Sequence, residues 1–269
     1  MTRRFARLAW AAAVSTYLLI VFGAIVRITG SGLGCGEHWP LCNGRVLPPL
    51  DPPTMIEYAH RLIAAAVSVL VAALAILTWR LRHGGQPDRP SRAAYLALGL
   101  LILQVALGAI TVKLALPPWT VILHLGTAML LLAVLLVAAR PGEPRALRAA
   151  PAGAALLGFV TVLFGALTAN LGAASACLGF PLCNGHFASP GTPLAEVHWT
   201  HRLLAYGLAA YVLGWAWRSG ARAPRYVLGL VGLQVGVAAA MVLRALPAAL
   251  QATHVALGAG VWAGLVLAL

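Results

Sequence analysis

Eight apolar runs, each close to the roughly 20 residues that span a hydrocarbon core as a helix, leave this chain few ways to fold. They are expected near residues 8 to 28, 57 to 79, 92 to 113, 119 to 139, 151 to 170, 197 to 217, 225 to 244 and 249 to 269. With 61% hydrophobic and 9% charged residues among 269, the chain is too apolar for a water-soluble core. Its solvent is lipid, and backbone polar groups must then be satisfied inside helices. The first run follows Arg3, Arg4 and Arg7. It is longer than a signal-peptide core, and no small-residue cleavage site follows it, so it reads as span one.

A formal charge of +13 would suggest nucleic acid in a soluble protein, but here the arginines cluster between spans and no basic domain stands apart. Nucleic acid is therefore excluded as a partner, and membrane lipid takes its place. Most of the 19 Lys and Arg fall on one side of the membrane. They are Arg3, Arg4 and Arg7 at the amino terminus, Arg80, Arg82, Arg89 and Arg92 after span two, Arg140, Arg145 and Arg148 after span four, and Arg218, Arg222 and Arg225 after span six. The positive-inside rule makes that side the cytoplasm and, with an even number of spans, puts both termini there, as expected of a multi-pass protein of the cell membrane. The loops bearing Cys35, Cys42, Cys177 and Cys183 are then outside, where disulfides persist.

The chain is also a tandem duplication. Pro40-Leu41-Cys42-Asn43-Gly44 and His60-Arg61-Leu62 return, at one constant offset, as Pro181-Leu182-Cys183-Asn184-Gly185 and His201-Arg202-Leu203. Phe22-Gly23-Ala24 matches Phe164-Gly165-Ala166, and Gln104, Leu116-Pro117 and His124 match Gln234, Leu246-Pro247 and His254. The expected fold is an all-α membrane protein whose eight transmembrane helices form two tandem, parallel-repeat four-helix bundles, residues 1–140 and 141–269.

Ionisable groups inside the membrane are functional suspects. Each half places one His near the outer end of its second span (His60, His201) and one near the outer end of its fourth (His124, His254). One imidazole from each of two facing helices, without a cysteine or carboxylate cluster inside the membrane, suits the axial positions of a haem iron better than a three- or four-ligand zinc site. Arg61 and Arg202 follow two of these ligands and are candidates for haem propionates; Lys113 and Arg244 either share that role or snorkel at the interface. Gln104 and Gln234 read as interhelical hydrogen bonders. Glu57 precedes His60 by three positions and shares its helical face, so it either works at the pocket or caps the first turn of span two. Its counterpart is His198, which packs at the helix mouth or hydrogen-bonds a second haem. His38, His83 and His186 are taken as solvated loop residues. The short loops Cys35/Cys42 and Cys177/Cys183 can close as disulfides with a structural or a redox role.

Arg27-Ile28-Thr29-Gly30-Ser31-Gly32-Leu33 leading into Cys35, then Trp39-Pro40-Leu41-Cys42 and Glu57 with His60-Arg61, resembles the haem A synthase family over all eight spans. The resemblance implies an oxidoreductase that oxidises the C8 methyl of haem O to a formyl by two successive hydroxylations. It implies His60 and His124 as ligands of the substrate haem, Glu57 beside them as the catalytic group, and His201 and His254 as ligands of a haem b cofactor. The implied partners are haem O and an external electron donor, because no motif in the chain binds flavin or nicotinamide. A haem O synthase and further copies of this chain are candidate partners. A di-haem b electron-transfer cytochrome is the alternative and a haem or metal transporter the third. Against them stand a carboxylate at one of the two pockets only, and the polar groups gathered at one face.

Overall fold

The computed structural model describes residues 3–84, 91–140, 149–187 and 191–269. They form eight α-helices: α1 (Arg3–Ile28), α2 (Pro52–His83), α3 (Ser91–Lys113), α4 (Pro118–Ala139), α5 (Ala149–Asn170), α6 (Pro193–Ser219), α7 (Arg222–Leu243) and α8 (Ala248–Ala268). Among the described residues there is no strand, only the isolated bridges Cys42 to Arg45 and Cys183 to His186. Seven of the helices are long and apolar enough to cross a membrane, so the chain is an all-α, multi-pass membrane protein. The eighth expected span is α6. It has the length, 27 residues, but its first turns hold Glu196, His198, His201 and Arg202, and Tyr206, Tyr211, Trp215 and Trp217 follow. Large apolar side chains such as Leu18, Val69, Ile102, Leu156 and Leu213 stand exposed on the helix surfaces, as lipid-facing positions require.

Several helices start earlier than expected, and at α2 and α6 the cause is capping. Asp51 accepts the Thr54 backbone N–H at 3.2 Å, with prolines filling the first helical positions, so α2 begins at Pro52 rather than near 57. Thr192 accepts from Ala195 at 3.3 Å ahead of Pro193 in α6 in the same way. Glu57 is therefore not the cap of the first turn, and the capping role considered for it belongs to Asp51. His83 is likewise not in a loop; it is the exposed last residue of α2, its ring 4.5 Å from that of Trp79.

The chain divides into two compact units, Met1–Pro144 and Arg145–Leu269. The division expected after residue 140 borders 141–148, which lie outside the described residues, as do Arg89, Arg145 and Arg148. In the first unit α1 and α3 each pack against both α2 and α4, which makes α2 and α4 diagonal members of a ring of four. In the second, α5 and α7 each pack against α6 and α8. In each unit the third and fourth helices join through two consecutive left-handed residues, Ala115 and Leu116 or Ala245 and Leu246, a conformation uncommon away from glycine. It lets Leu116 N–H reach Thr111 O at 2.9 Å and Leu246 N–H reach Met241 O at 2.8 Å, closing α3 and α7 before the Leu-Pro that opens the next helix.

Candidate functional site

The mouth of α2 is tied to the loop before it by one ion pair. Glu57, 4% exposed, receives the Cys35 backbone N–H on Oε2 at 2.7 Å and the Arg61 guanidinium on Oε1, from Nε at 3.1 Å and Nη2 at 2.5 Å. Nη1 of Arg61 donates to the carbonyls of His38 at 2.8 Å and Leu41 at 2.9 Å. Thr54 Oγ1 adds a bond to Gly34 O at 2.7 Å. The Cys35–Cys42 disulfide closes the same loop. Four residues separate Glu57 from Arg61, so although Arg61 turns away from His60 it meets Glu57 on the helix surface.

The second unit repeats this anchor with different chemistry. Arg202, 6% exposed, sends Nη1 to Gly179 O and Leu182 O, both at 2.9 Å, and Nη2 to Cys177 O at 2.5 Å. Its Nε donates to His198 Nε2 at 3.2 Å, while His198 Nδ1 stands 3.1 Å from Ala173 O. A carbonyl only accepts and a guanidinium only donates, so His198 is the neutral tautomer with its proton on Nδ1. His198 thus replaces Glu57 as the acceptor for the guanidinium, and the Cys177–Cys183 disulfide closes the loop that Arg202 holds. Tyr206 Oη adds a bond to Pro181 O at 2.7 Å. Arg61 and Arg202, expected against propionates, commit their donors here to loop carbonyls, Glu57 and His198. Lys113 and Arg244 are exposed, as are His38 and His186.

Four of the helical histidines occupy the diagonal pairs, His60 and His124 on α2 and α4, His201 and His254 on α6 and α8. His60 stacks on Phe22 of α1 with planes 14° apart. His201 donates Nδ1–H to Thr161 O at 3.1 Å, which leaves Nε2 as its bare nitrogen. The rings of His201 and His254 lie 6.5 Å apart, centroid to centroid, at 83°, on a cavity of about 100 Å³ also lined by His198, Arg202, Tyr206 and Gln234.

Hydropathy gave no reason to single out the glycines or the glutamines. A Cβ on Gly165 would stand 2.9 Å from His201 Cε1, and one on Gly23 would stand 3.3 Å from His60 Nε2. Each first helix therefore offers a bare backbone to the imidazole of the second. Gln104 Nε2 lies 3.2 Å from His124 Nε2, and Gln234 Nε2 lies 3.1 Å from His254 Nδ1. The signal for all four was their retention in both copies. Gly165→Ala is expected to displace a ring that Thr161 holds in place, a clash worth roughly 1–3 kcal/mol, and to lower the haem bound per purified chain more than Gly23→Ala does.

The spacing of His201 and His254 suits a metal ion held between two imidazoles, such as the iron of a haem. Two imidazoles each about 2 Å from one shared metal ion through a single nitrogen would have centroids about 6 Å apart, close to the spacing seen. Among the described residues no group of three or more His, Cys, Asp or Glu could hold a metal ion, so a three- or four-ligand zinc site lacks donors. Three buried polar atoms, Gln104 Oε1, His124 Nδ1 and Gln234 Oε1, have no partner, all of them beside the histidine of a fourth helix.

The family model described as cytochrome oxidase assembly protein (COX15-CtaA) matches residues 6–55 and 52–266. Among curated relatives, the haem A synthase of Symbiobacterium thermophilum is 32% identical over 91% of this chain and 88% of its own length. The haem A synthase of Shouchella clausii is 34% identical over 79% of this chain and 75% of its own length. That of Bacillus licheniformis is 32% identical over 74% and 70%.

Proposed function

The chain belongs to the cytochrome oxidase assembly family of haem A synthases, enzymes of haem A biosynthesis, and from that premise we propose that it oxidises the C8 methyl of haem O to a formyl in two successive hydroxylations. In this reading the two units are tandem, parallel repeats of one four-helix bundle with divided labour. His60 and His124 hold the substrate haem in the first unit, and His201 and His254 hold a resident haem b in the second. The observation that carries the division is the broken symmetry of the duplication: the histidines and arginines are kept in both copies, but the carboxylate is kept only at Glu57, with His198 in its place.

A bound haem b supplies one-electron transfer at its iron, and the electrons originate outside the chain. The protein's residues orient and shield. Thr161 O fixes His201 in one tautomer, and Gly23 and Gly165 admit the ligand rings. Glu57, three positions from His60, is the group we assign to proton exchange at the reacting methyl. Its two oxygens have room for a further partner beyond Cys35 and Arg61, since an ionised carboxylate accepts about four bonds. Arg61 and Arg202 hold the outer loops over the helix mouths, and any propionate must share them with carbonyls.

His60→Ala tests the division. The purified variant should keep the haem b of the second unit and make no haem A from supplied haem O. Retained haem A formation would place the substrate elsewhere. The proposed orientation, with both termini cytoplasmic in the cell membrane, puts all four cysteines outside. All four are buried in disulfides, so a membrane-impermeant thiol reagent should label intact cells after reduction and not before. Labelling only of inverted vesicles would reverse the orientation.

A further inference from the structure

The buried amides beside the fourth-helix histidines are incomplete as they stand. A primary amide nitrogen only donates, so the ring nitrogens facing Gln104 and Gln234 are bare acceptors. That leaves Gln104 Oε1 and Gln234 Oε1 buried without a donor. Beside the first of them, His124 Nδ1 is buried without an acceptor. Buried amide oxygens left without a donor beside imidazole rings point to a second arrangement, in which each amide turns its oxygen toward the ring.

Metal ligation supplies the reason for it. When one nitrogen of a neutral imidazole binds iron, the other carries a proton and needs an acceptor. For His201 that acceptor is in place, Thr161 O at 3.1 Å. For His254 the group at hand is Gln234, whose Nε2 lies 3.1 Å from Nδ1 and 3.4 Å from Nε2. Turning the amide end for end exchanges Nε2 for Oε1 and brings the oxygen to Nδ1. The small residues nearby leave room for the movement. A Cβ on Gly258 would stand 3.3 Å from the Gln234 amide nitrogen, and one on Gly108 would stand 3.1 Å from the His124 ring.

We infer that Gln104 and Gln234 are positioning residues for His124 and His254, their side-chain oxygens accepting the proton on the ring nitrogen that does not face iron. This rests on the assignment of those histidines as haem ligands and extends it one layer outward. The two ligands of the second unit then differ in kind. His201 is fixed by the backbone, which no substitution of that partner alters. His254 is fixed by a side chain that can be exchanged, so its amide tunes the iron.

The test is made on the full-length, purified, haem b-loaded protein. Gln234→Leu keeps the bulk and removes the acceptor; haem affinity should fall about 10- to 100-fold, as for other outer partners of metal ligands, and the reduction potential of the remaining haem should rise as the imidazole becomes less basic. Gln234→Glu supplies a stronger acceptor, so affinity should return and the potential should move below that of the unaltered protein. A residue that only fills space could not move the potential in opposite directions. If both variants keep the original affinity and potential while His254→Ala loses the haem, this inference is wrong and the ligand assignment stands. If His254→Ala itself keeps haem and potential, the ligand assignment fails and takes the inference with it.

Discussion

His201→Ala and His254→Ala are each expected to abolish the six-coordinate, low-spin haem of the second unit, leaving purified protein with at most a weakly held, five-coordinate haem. The two rings stand nearly perpendicular, 6.5 Å apart on the cavity, and no third His, Cys, Asp or Glu joins them into a metal-binding group among the described residues. His198, the nearest substitute, has both nitrogens engaged, Nδ1 with Ala173 O and Nε2 with the Arg202 guanidinium. Releasing it would leave a buried arginine short of an acceptor, a cost of about 1–3 kcal/mol. Absorption and electron paramagnetic resonance spectra read the coordination state. A full complement of low-spin haem in both variants would mean that the haem is held by other residues.

Glu57→His is expected to fold, to bind haem b normally and to form haem A at a rate lower by about 10²- to 10⁴-fold, the range that a general acid or base contributes. The substitution copies the solution the second unit already uses, where a histidine accepts the Nε–H of the following arginine and the loop stays anchored. It therefore removes the carboxylate while keeping an anchor, which a plain truncation does not. Both substitutions remove the counter-ion of Arg61 and the acceptor of Cys35 N–H, but Glu57→Ala also leaves the Arg61 Nε–H without an acceptor, a destabilisation of roughly 3 kcal/mol or more that confuses folding with chemistry. Comparing haem b content with haem A yield separates the two effects. A Glu57→His chain that forms haem A at the original rate would reduce Glu57 to a loop anchor.

How far the sequence could be read follows from what hydropathy and repetition can carry. Apolar runs of bilayer length located all eight helices, and the duplication singled out His60, His124, His201 and His254, because a lone intramembrane histidine is ambiguous but a set kept in register is not. Hydropathy missed the starts of α2 and α6, since Asp51-Pro52-Pro53 and Thr192-Pro193 are polar or turn-like residues whose meaning lies in capping. Arg61 reads as a propionate candidate from its place after His60, and its four-position spacing from Glu57 equally permits the ion pair found on the helix surface. Gly23, Gly165, Gln104 and Gln234 were visible in the repeat, yet a glycine or an amide in an apolar helix does not say which neighbour it meets. Only packing of the first helix against the second, and the third against the fourth, shows that all four meet the histidines.

The most direct test of the enzymatic reading is the pigment content of membranes from cells that express this chain together with a source of haem O and lack any other route to haem A. Extraction and chromatography should yield haem A, with the hydroxylated intermediate accumulating when electrons are limiting. Haem b with unreacted haem O, and no haem A, would contradict it and leave a di-haem electron carrier.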